Sequence, residues 1–334
     1  MIPAAPPPAL PLPACPVPLR WELIHTRPLP RDAGGFSGAT YRPEEDALWV
    51  VSDAPQGELL VWRGLKQLAA GDPADPELLA RIPLRGSPVQ PLPEAIDGEA
   101  LVLGDGAVWV VSEGRLEPSR AALLLRFDAR SGELQGSLPL PANWQPRPHR
   151  GLEPNGGPES LTLWPVFPLP GQAATQLLLA AEHPLQQDRP KRTLRTLLWA
   201  LQPGGAEVAE HQLPPLPIPP GTPALGLTDL LSLPPQPQGG GRLLALWRGF
   251  EAPARWRAEL SLLELGAAGW RERGRWDLLA AGLPADNWEA ITPGPVLADG
   301  RRSLLLLSDD NFNPLQQNHI ALLAPRCPAA PDLP

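Results

Sequence analysis

The sequence predicts an all-β chain folded as a single β-propeller of about five four-stranded blades. Three observations carry that expectation. Five similar segments recur at intervals of about sixty residues, each followed by further strand-like runs. The apolar residues come in short runs bounded by Gly and Pro, not in long helical periods. Four antiparallel strands per repeat make a propeller blade. A six-bladed ring with one degenerate blade is the alternative count, and a tandem pair of β-sandwiches the alternative architecture.

In chain order, the five segments are GFSGATYRPEEDALWVVSDAP from Gly35, DGEALVLGDGAVWVVSEG from Asp97, GPESLTLWP with QLLLAAEHP from Gly157, GLTDLLSLPP with RLLALWRGF from Gly226, and NWEAITPGP with RSLLLLSDDN from Asn287. Aligning them puts Ser37, Glu99, Glu159, Thr228 and Glu289 at one equivalent position, at intervals of 62, 60, 69 and 61 residues. Two further strands follow in each of the first four units: LLVWRG and LLARIPL, ALLLRFD and LQGSLPLP, RTLLWALQP and AEVAEHQLP, ELSLLELG and RERGRWDLL. Between the second pair, Asp128 to Gly132 reads as a hairpin turn, with Gly132 free to take positive φ.

The fifth unit supplies only HIALLAP before the chain ends. The missing outer strand is expected from the other terminus, WELIHTRPLP over Trp21–Pro30. Pairing it into the last blade closes the ring and removes two sheet edges. That closure brings Cys15 and Cys327, the two cysteines of the chain, just beyond adjoining strand ends. A Cys15–Cys327 disulfide is therefore expected, and it implies an oxidising compartment.

Composition excludes several classes. The 28 basic and 36 acidic residues leave a net charge of −8, which argues against a nucleic-acid partner. Pro and Gly make up 80 of 334 residues, yet 43% of the chain is hydrophobic, so an ordered core is expected. The longest uncharged stretch, Ser160 to Ala181, is broken by three prolines and a glycine, so no transmembrane span is expected. The first fifteen residues have neither a basic start nor an unbroken apolar run. As written they are not a signal peptide, and they fit the remnant of one if the start lies upstream. Leu12 to Cys15 has the outline of a lipobox, which leaves a membrane-anchored lipoprotein open. The expected organisation is a Pro-rich segment over 1–19, the propeller over 20–328 and a tail over 329–334.

Propeller geometry locates the chemistry. The start of each innermost strand and the end of the next share one face of the ring. Glu99, Glu159 and Glu289 open innermost strands, and Asp53, Glu113, Glu182 and Asp309 close second strands. These carboxylates are expected around one mouth of the central channel. Like charges so crowded call for a cation, and oxygen ligands suit Ca²⁺ better than Zn²⁺. The candidate metal ligands are Glu99, Glu159, Glu289 and Asp309. Loops on the same face carry Arg147, His149, Arg150, Arg189, Lys191, Arg192 and Arg195. Arg150, His183, Arg192 and Asn311 are the candidate substrate contacts, since a metal beside guanidinium groups suits a phosphate. The competing reading is that such acids only hydrogen-bond neighbouring blades.

Other signatures fall away. Gly35-Phe36-Ser37-Gly38-Ala39 departs from G-x-S-x-G at its last residue, and no strand-to-helix context is predicted. The five histidines lack zinc spacing, and there is no nucleotide loop. Trp49, Trp109 and Trp247 lie in strands and read as inter-blade core.

Asp97 to Leu101 with Trp109 to Glu113, Gly35 to Gly38 with Ser52-Asp53, and Ser308 to Leu315 resemble the phytase-like family, "esterase-like activity of phytase", over Gly35 to about Leu323. The resemblance implies an exported protein that hydrolyses a small-molecule phosphate or carboxylic ester. It assigns no catalytic residue. A non-catalytic exported propeller that binds a ligand or protein is the other function carried forward, and the oligomeric state is left open.

Overall fold

The computed structural model describes residues 15–30, 33–72, 74–104, 106–164, 175–201, 207–235 and 240–328. The chain enters on β1 (Arg20–Pro28) and then forms five blades in sequence. The first holds β2 (Phe36–Arg42), β3 (Ala47–Ser52), β4 (Glu58–Arg63) and β5 (Glu77–Pro83), with a short helix α1 (Leu65–Ala69) between the last two. The second holds β6 (Gly98–Gly104), β7 (Ala107–Ser112), β8 (Leu123–Asp128) and β9 (Leu134–Pro139). The third holds β10 (Ser160–Leu163), β11 (Thr175–Ala180), then, after β12 (Thr193–Leu194), β13 (Thr196–Leu201) and β14 (Glu207–His211). Outside the blades, β15 (Leu216–Pro217) pairs with β12 as a small ribbon that the repeat did not predict. The fourth holds β16 (Gly226–Leu233), β17 (Arg242–Glu251), β18 (Arg255–Gly266) and β19 (Gly269–Asp277).

The fifth blade runs β20 (Trp288–Val296), β21 (Arg302–Ser308), β22 (His319–Arg326) and then β1. The N-terminal strand thus pairs antiparallel with the last strand, from Arg20 opposite Arg326 to Pro28 opposite His319. Leu29 extends the pairing through its N–H to the Asn318 carbonyl. The five-blade count and the N-terminal closure are as expected; the closing strand begins at Arg20 and ends at Pro28. At the opposite face from the mouth, Cys15 and Cys327 are disulfide-bonded, with Cα atoms 5.6 Å apart. The same sulfur cannot carry a lipid thioether, so the lipobox option for Cys15 is corrected. Residues 1–14 and 329–334 lie outside the described residues.

The core consists of five apolar layers, one between each pair of neighbouring blades. Side chains alternate across a strand. In β21, Leu304 and Leu306 therefore pack toward blade four while Leu305 and Leu307 pack toward blade one. Strands buried on both faces read as continuous apolar runs, which is why RSLLLLS shows no polar alternation. Trp62, Trp199, Trp247 and Trp288 are fully buried in these layers. Single polar clasps stitch the inner strands together. Thr40 Oγ1 donates to the Leu101 carbonyl, Thr162 Oγ1 accepts from Ser232 N–H, and Thr292 Oγ1 accepts from Tyr41 N–H.

Candidate functional site

Every innermost strand begins with the same irregularity. The register shifts by one residue between Phe36 and Gly38, Gly98 and Ala100, Leu227 and Asp229, and Trp288 and Ala290. In blade three the Gly157 carbonyl accepts from Glu182 N–H while Ser160 faces Ala180, which leaves the same extra residue. The bulged residues are Ser37, Glu99, Glu159, Thr228 and Glu289, the position singled out by the repeat. A β-bulge frees its residue from the ladder and re-aims the side chain. Glu99, Glu159 and Glu289 are thereby gathered at the mouth, near enough that Glu99 and Glu289 both favour protonation of Glu159, and Glu289 that of Glu99.

The strand-end residues meet the next blade. One oxygen of Glu113 accepts from Gly156 N–H and Gly157 N–H, each at 3.0 Å. Asp309 accepts from Phe36 N–H at 3.0 Å, across the seam where the ring closes. A Cβ at Gly157 would collide with Glu113, and one at Gly226 with Glu182, so glycine is what lets these acids reach across. In blade four the equivalent position is Arg248, which the sequence reading passed over while searching for acids. Its guanidinium lies 3.3 Å from Glu182 and 3.1 Å from Glu289.

Burial dominates the electrostatics. It pushes Glu289 up to about 8, against the pull of Arg248. Burial, then the nearby Asp97, takes Glu113 to about 7, opposed by the two glycine N–H groups. Asp53 also rises to about 7, through burial and then repulsion from Asp309, and its buried Oδ1 has no hydrogen-bond partner. Glu99 and Glu159 lie well above the ordinary range for the same first reason, followed by each one's acidic neighbours.

Among the described residues, one trio of carboxylates offers ligand oxygens all within 4.8 Å of one another: Asp97, Glu99 and Glu113. It shares Glu99 with the expected set. Glu159, Glu289 and Asp309 sit around the same mouth but outside that trio, with Glu289 held by Arg248 and Asp309 by Phe36 N–H. Asp97 was not singled out as a ligand, although it stands two residues before Glu99 at positive φ, where the turn into β6 aims it back. It is clamped by Arg120, with Arg115 4.0 Å away.

The expected substrate contacts are dispersed. His183 Nε2 lies 3.5 Å from Glu182 at the mouth. Asn311, at positive φ, follows Asp309 and lends it a backbone N–H. Arg150 is exposed on a neighbouring loop, and Arg192 donates to the Pro219 carbonyl at 3.4 Å. Much of the basic charge beside them is already matched: Arg189 pairs with Glu153, and Lys191 and Arg195 with Asp188.

A five-bladed propeller with acids crowded at one mouth defines the class of protein. The family model described as "Phytase-like: Esterase-like activity of phytase" matches residues 31–312, and the chain belongs to that family. No curated protein matches it. Solved structures resemble it only in outline. A glucose dehydrogenase aligns with 12% identity and a TM-score of 0.45 over 92% of this chain and 100% of its own. A DUF4221 family member from Bacteroides vulgatus aligns with 10% identity and a TM-score of 0.40 over 92% of this chain and 96% of its own. U3-55K aligns with 11% identity and a TM-score of 0.40 over 89% and 83%. Likeness at this level carries no functional argument.

Proposed function

We propose that this protein hydrolyses a phosphate or carboxylic ester of a small molecule at the acidic mouth, with a hard divalent cation held by Asp97, Glu99 and Glu113. The observation that carries the reading is the convergence of these three carboxylates within 4.8 Å. Glu99 makes no hydrogen bond or ion pair among the described residues, although it is buried. A buried carboxylate without a partner fits a cation better than it fits a clasp between blades. The all-oxygen donor set suits Ca²⁺. When bound, such an ion polarises an ester or phosphoryl oxygen.

The chain's own residues hold the trio in place. Arg120 fixes Asp97, and the two glycine N–H groups fix one oxygen of Glu113 and leave the other free to turn inward. Glu159, Glu289 and Asp309 widen the acidic field, while His183 and Asn311 stand at the rim to contact substrate, with Arg150 and Arg192 on loops farther out. The disulfide favours a protein exported to the periplasm or beyond. No helix among the described residues is long and apolar enough to cross a membrane.

A panel of phosphate and carboxylic esters, assayed with and without Ca²⁺ on wild type and Glu99→Gln, tests the reading. Metal-dependent turnover that collapses in Glu99→Gln is expected. Absence of metal binding, with any hydrolysis unchanged in Glu99→Gln, would favour the second reading, a non-catalytic propeller that binds a ligand or protein. That alternative draws on the clasping contacts of Asp309 and Glu113 with the blades that follow them.

A further inference from the structure

Beside the acidic trio, on the same face, a cleft of about 630 Å³ opens between two loops: the link from blade one to blade two and the loop that follows β7. That volume falls within the range of small-molecule sites. Both walls are fixed by their own hydrogen bonds. The outer wall is a turn closed reciprocally between the backbones of Ser87 and Gln90, and the Gln90 side chain donates to Ser137 Oγ at 2.7 Å. The inner wall is a turn closed reciprocally between the backbones of Arg115 and Arg120, at 2.9 and 2.7 Å. The cleft is therefore preformed, and a ligand need not order it.

Its chemistry is two-sided. At the inner end Arg120 is committed, bonded to Asp97 and donating to the Glu113 carbonyl at 3.3 Å. Arg115 is not. Its side chain is half exposed, approaches Asp97 only to 4.0 Å and makes no hydrogen bond among the described residues. The Arg115 guanidinium on the cleft lining thus keeps planar donors that match a phosphoryl or carboxylate group. Glu94 on the lining is exposed and solvated. The rest of the lining is largely apolar, with Leu92 and Leu123 partly exposed to it. A bare inorganic anion would use the inner end alone.

We infer that this cleft binds an amphipathic anion, a phosphoryl or carboxylate group joined to an apolar organic part. Arg115 takes the charged group, and Leu92 and Leu123 take the apolar part. Its use as the substrate cleft rests on the hydrolase reading above; the binding itself does not.

Calorimetry with benzylphosphonate, phenylacetate and inorganic phosphate tests the inference without any turnover. At least one of the two organic anions is expected to bind about tenfold more tightly than inorganic phosphate, and which one does so identifies the charged group. Arg115→Ala, and separately Ala121→Trp to fill the cleft, are each expected to weaken that binding about tenfold with melting temperatures preserved. Arg63→Ala, at the exposed end of β4 on the face of blade one away from the mouth, leaves it unchanged. Organic anions that bind no better than phosphate, or that bind both cleft variants as they bind wild type, would overturn the inference. Binding that depends on Arg115 in a protein with no hydrolytic activity upholds the cleft and removes the hydrolase. Hydrolysis with unchanged KM in Arg115→Ala overturns the cleft's use for substrate and leaves the hydrolase standing.

Discussion

Four of the five strand-end positions at the mouth carry acids, and the fifth carries Arg248, wedged between Glu182 and Glu289. Removing one partner of a buried ion pair strands the others, at a cost of about 3–5 kcal/mol. Arg248→Met is expected to lose stability on that scale in chemical denaturation at pH 8.5, where Glu289 is otherwise ionised. The loss shrinks at pH 5.5, where the stranded Glu289 carboxyl is protonated, because burial already holds it near 8 with the arginine present. An equal loss at both pH values would refute this. Asp229 makes a second residue-level test. Its two oxygens accept from Leu230 N–H at 2.7 Å and from Ile291 N–H in the next blade at 2.8 Å. Asparagine can accept only one of these bonds, so Asp229→Asn should cost about 1–3 kcal/mol in denaturant titration. The bulged glutamates were legible in the sequence because the repeat places them in register. Arg248 was equally in register but broke the acidic pattern, and Asp97 was read only as the start of a motif. The partners of Arg248 lie on other blades, Glu182 on the third and Glu289 on the fifth, where no local pattern reveals them.

The element that decides whether the ring stays shut is β1. Without it, β22 would present an unpaired edge and blade five would lose the strand that ties the two ends of the chain together. Its assignment followed from a deficit, since the fifth repeat lacked a strand and the N-terminus offered one. The disulfide followed from the same step. By contrast, β12 and β15 are two-residue strands with no periodicity to read, and their pairing depends on how blade three folds around them. The Cys15–Cys327 bridge spans 312 residues, a separation for which loop-closure entropy gives up to about 6 kcal/mol. Replacing Cys15 with Ser, or reducing the wild type, is expected to lower the melting temperature, and reduction should have no further effect on the variant. Wild type that melts identically with and without reductant would show that β1 closes the ring unaided.

At the scale of the whole molecule, the five inter-blade layers hold the ring closed, and the closed ring forces like charges together at one mouth. The five-blade count was legible because each blade is one repeat. The crowding at the mouth followed from the closed ring. Its energetic sign follows from the raised carboxyls. Glu289, held near 8 by burial, keeps its proton in the fold at pH values where the unfolded chain, with an ordinary glutamate, has lost it. Between about pH 4.5 and 8 the native state therefore binds more protons, so stability falls as pH rises through that window and levels off above it. Asp229, raised by burial, contributes in the same direction. A melting temperature that climbs from pH 5 to pH 8 would contradict this account. A cation bound only by the folded mouth should offset part of the loss, by about 2.7 kcal/mol at a hundredfold excess over its dissociation constant. Thermal melts at pH 8 are therefore expected to shift upward with Ca²⁺ in wild type. Glu99→Gln, whose neutral amide relieves the repulsion from Glu113 and Asp97, should start from a higher melting temperature and gain little from Ca²⁺. Equal Ca²⁺ shifts in both proteins would place the cation elsewhere, and no shift in wild type would leave the mouth's repulsion to protons alone.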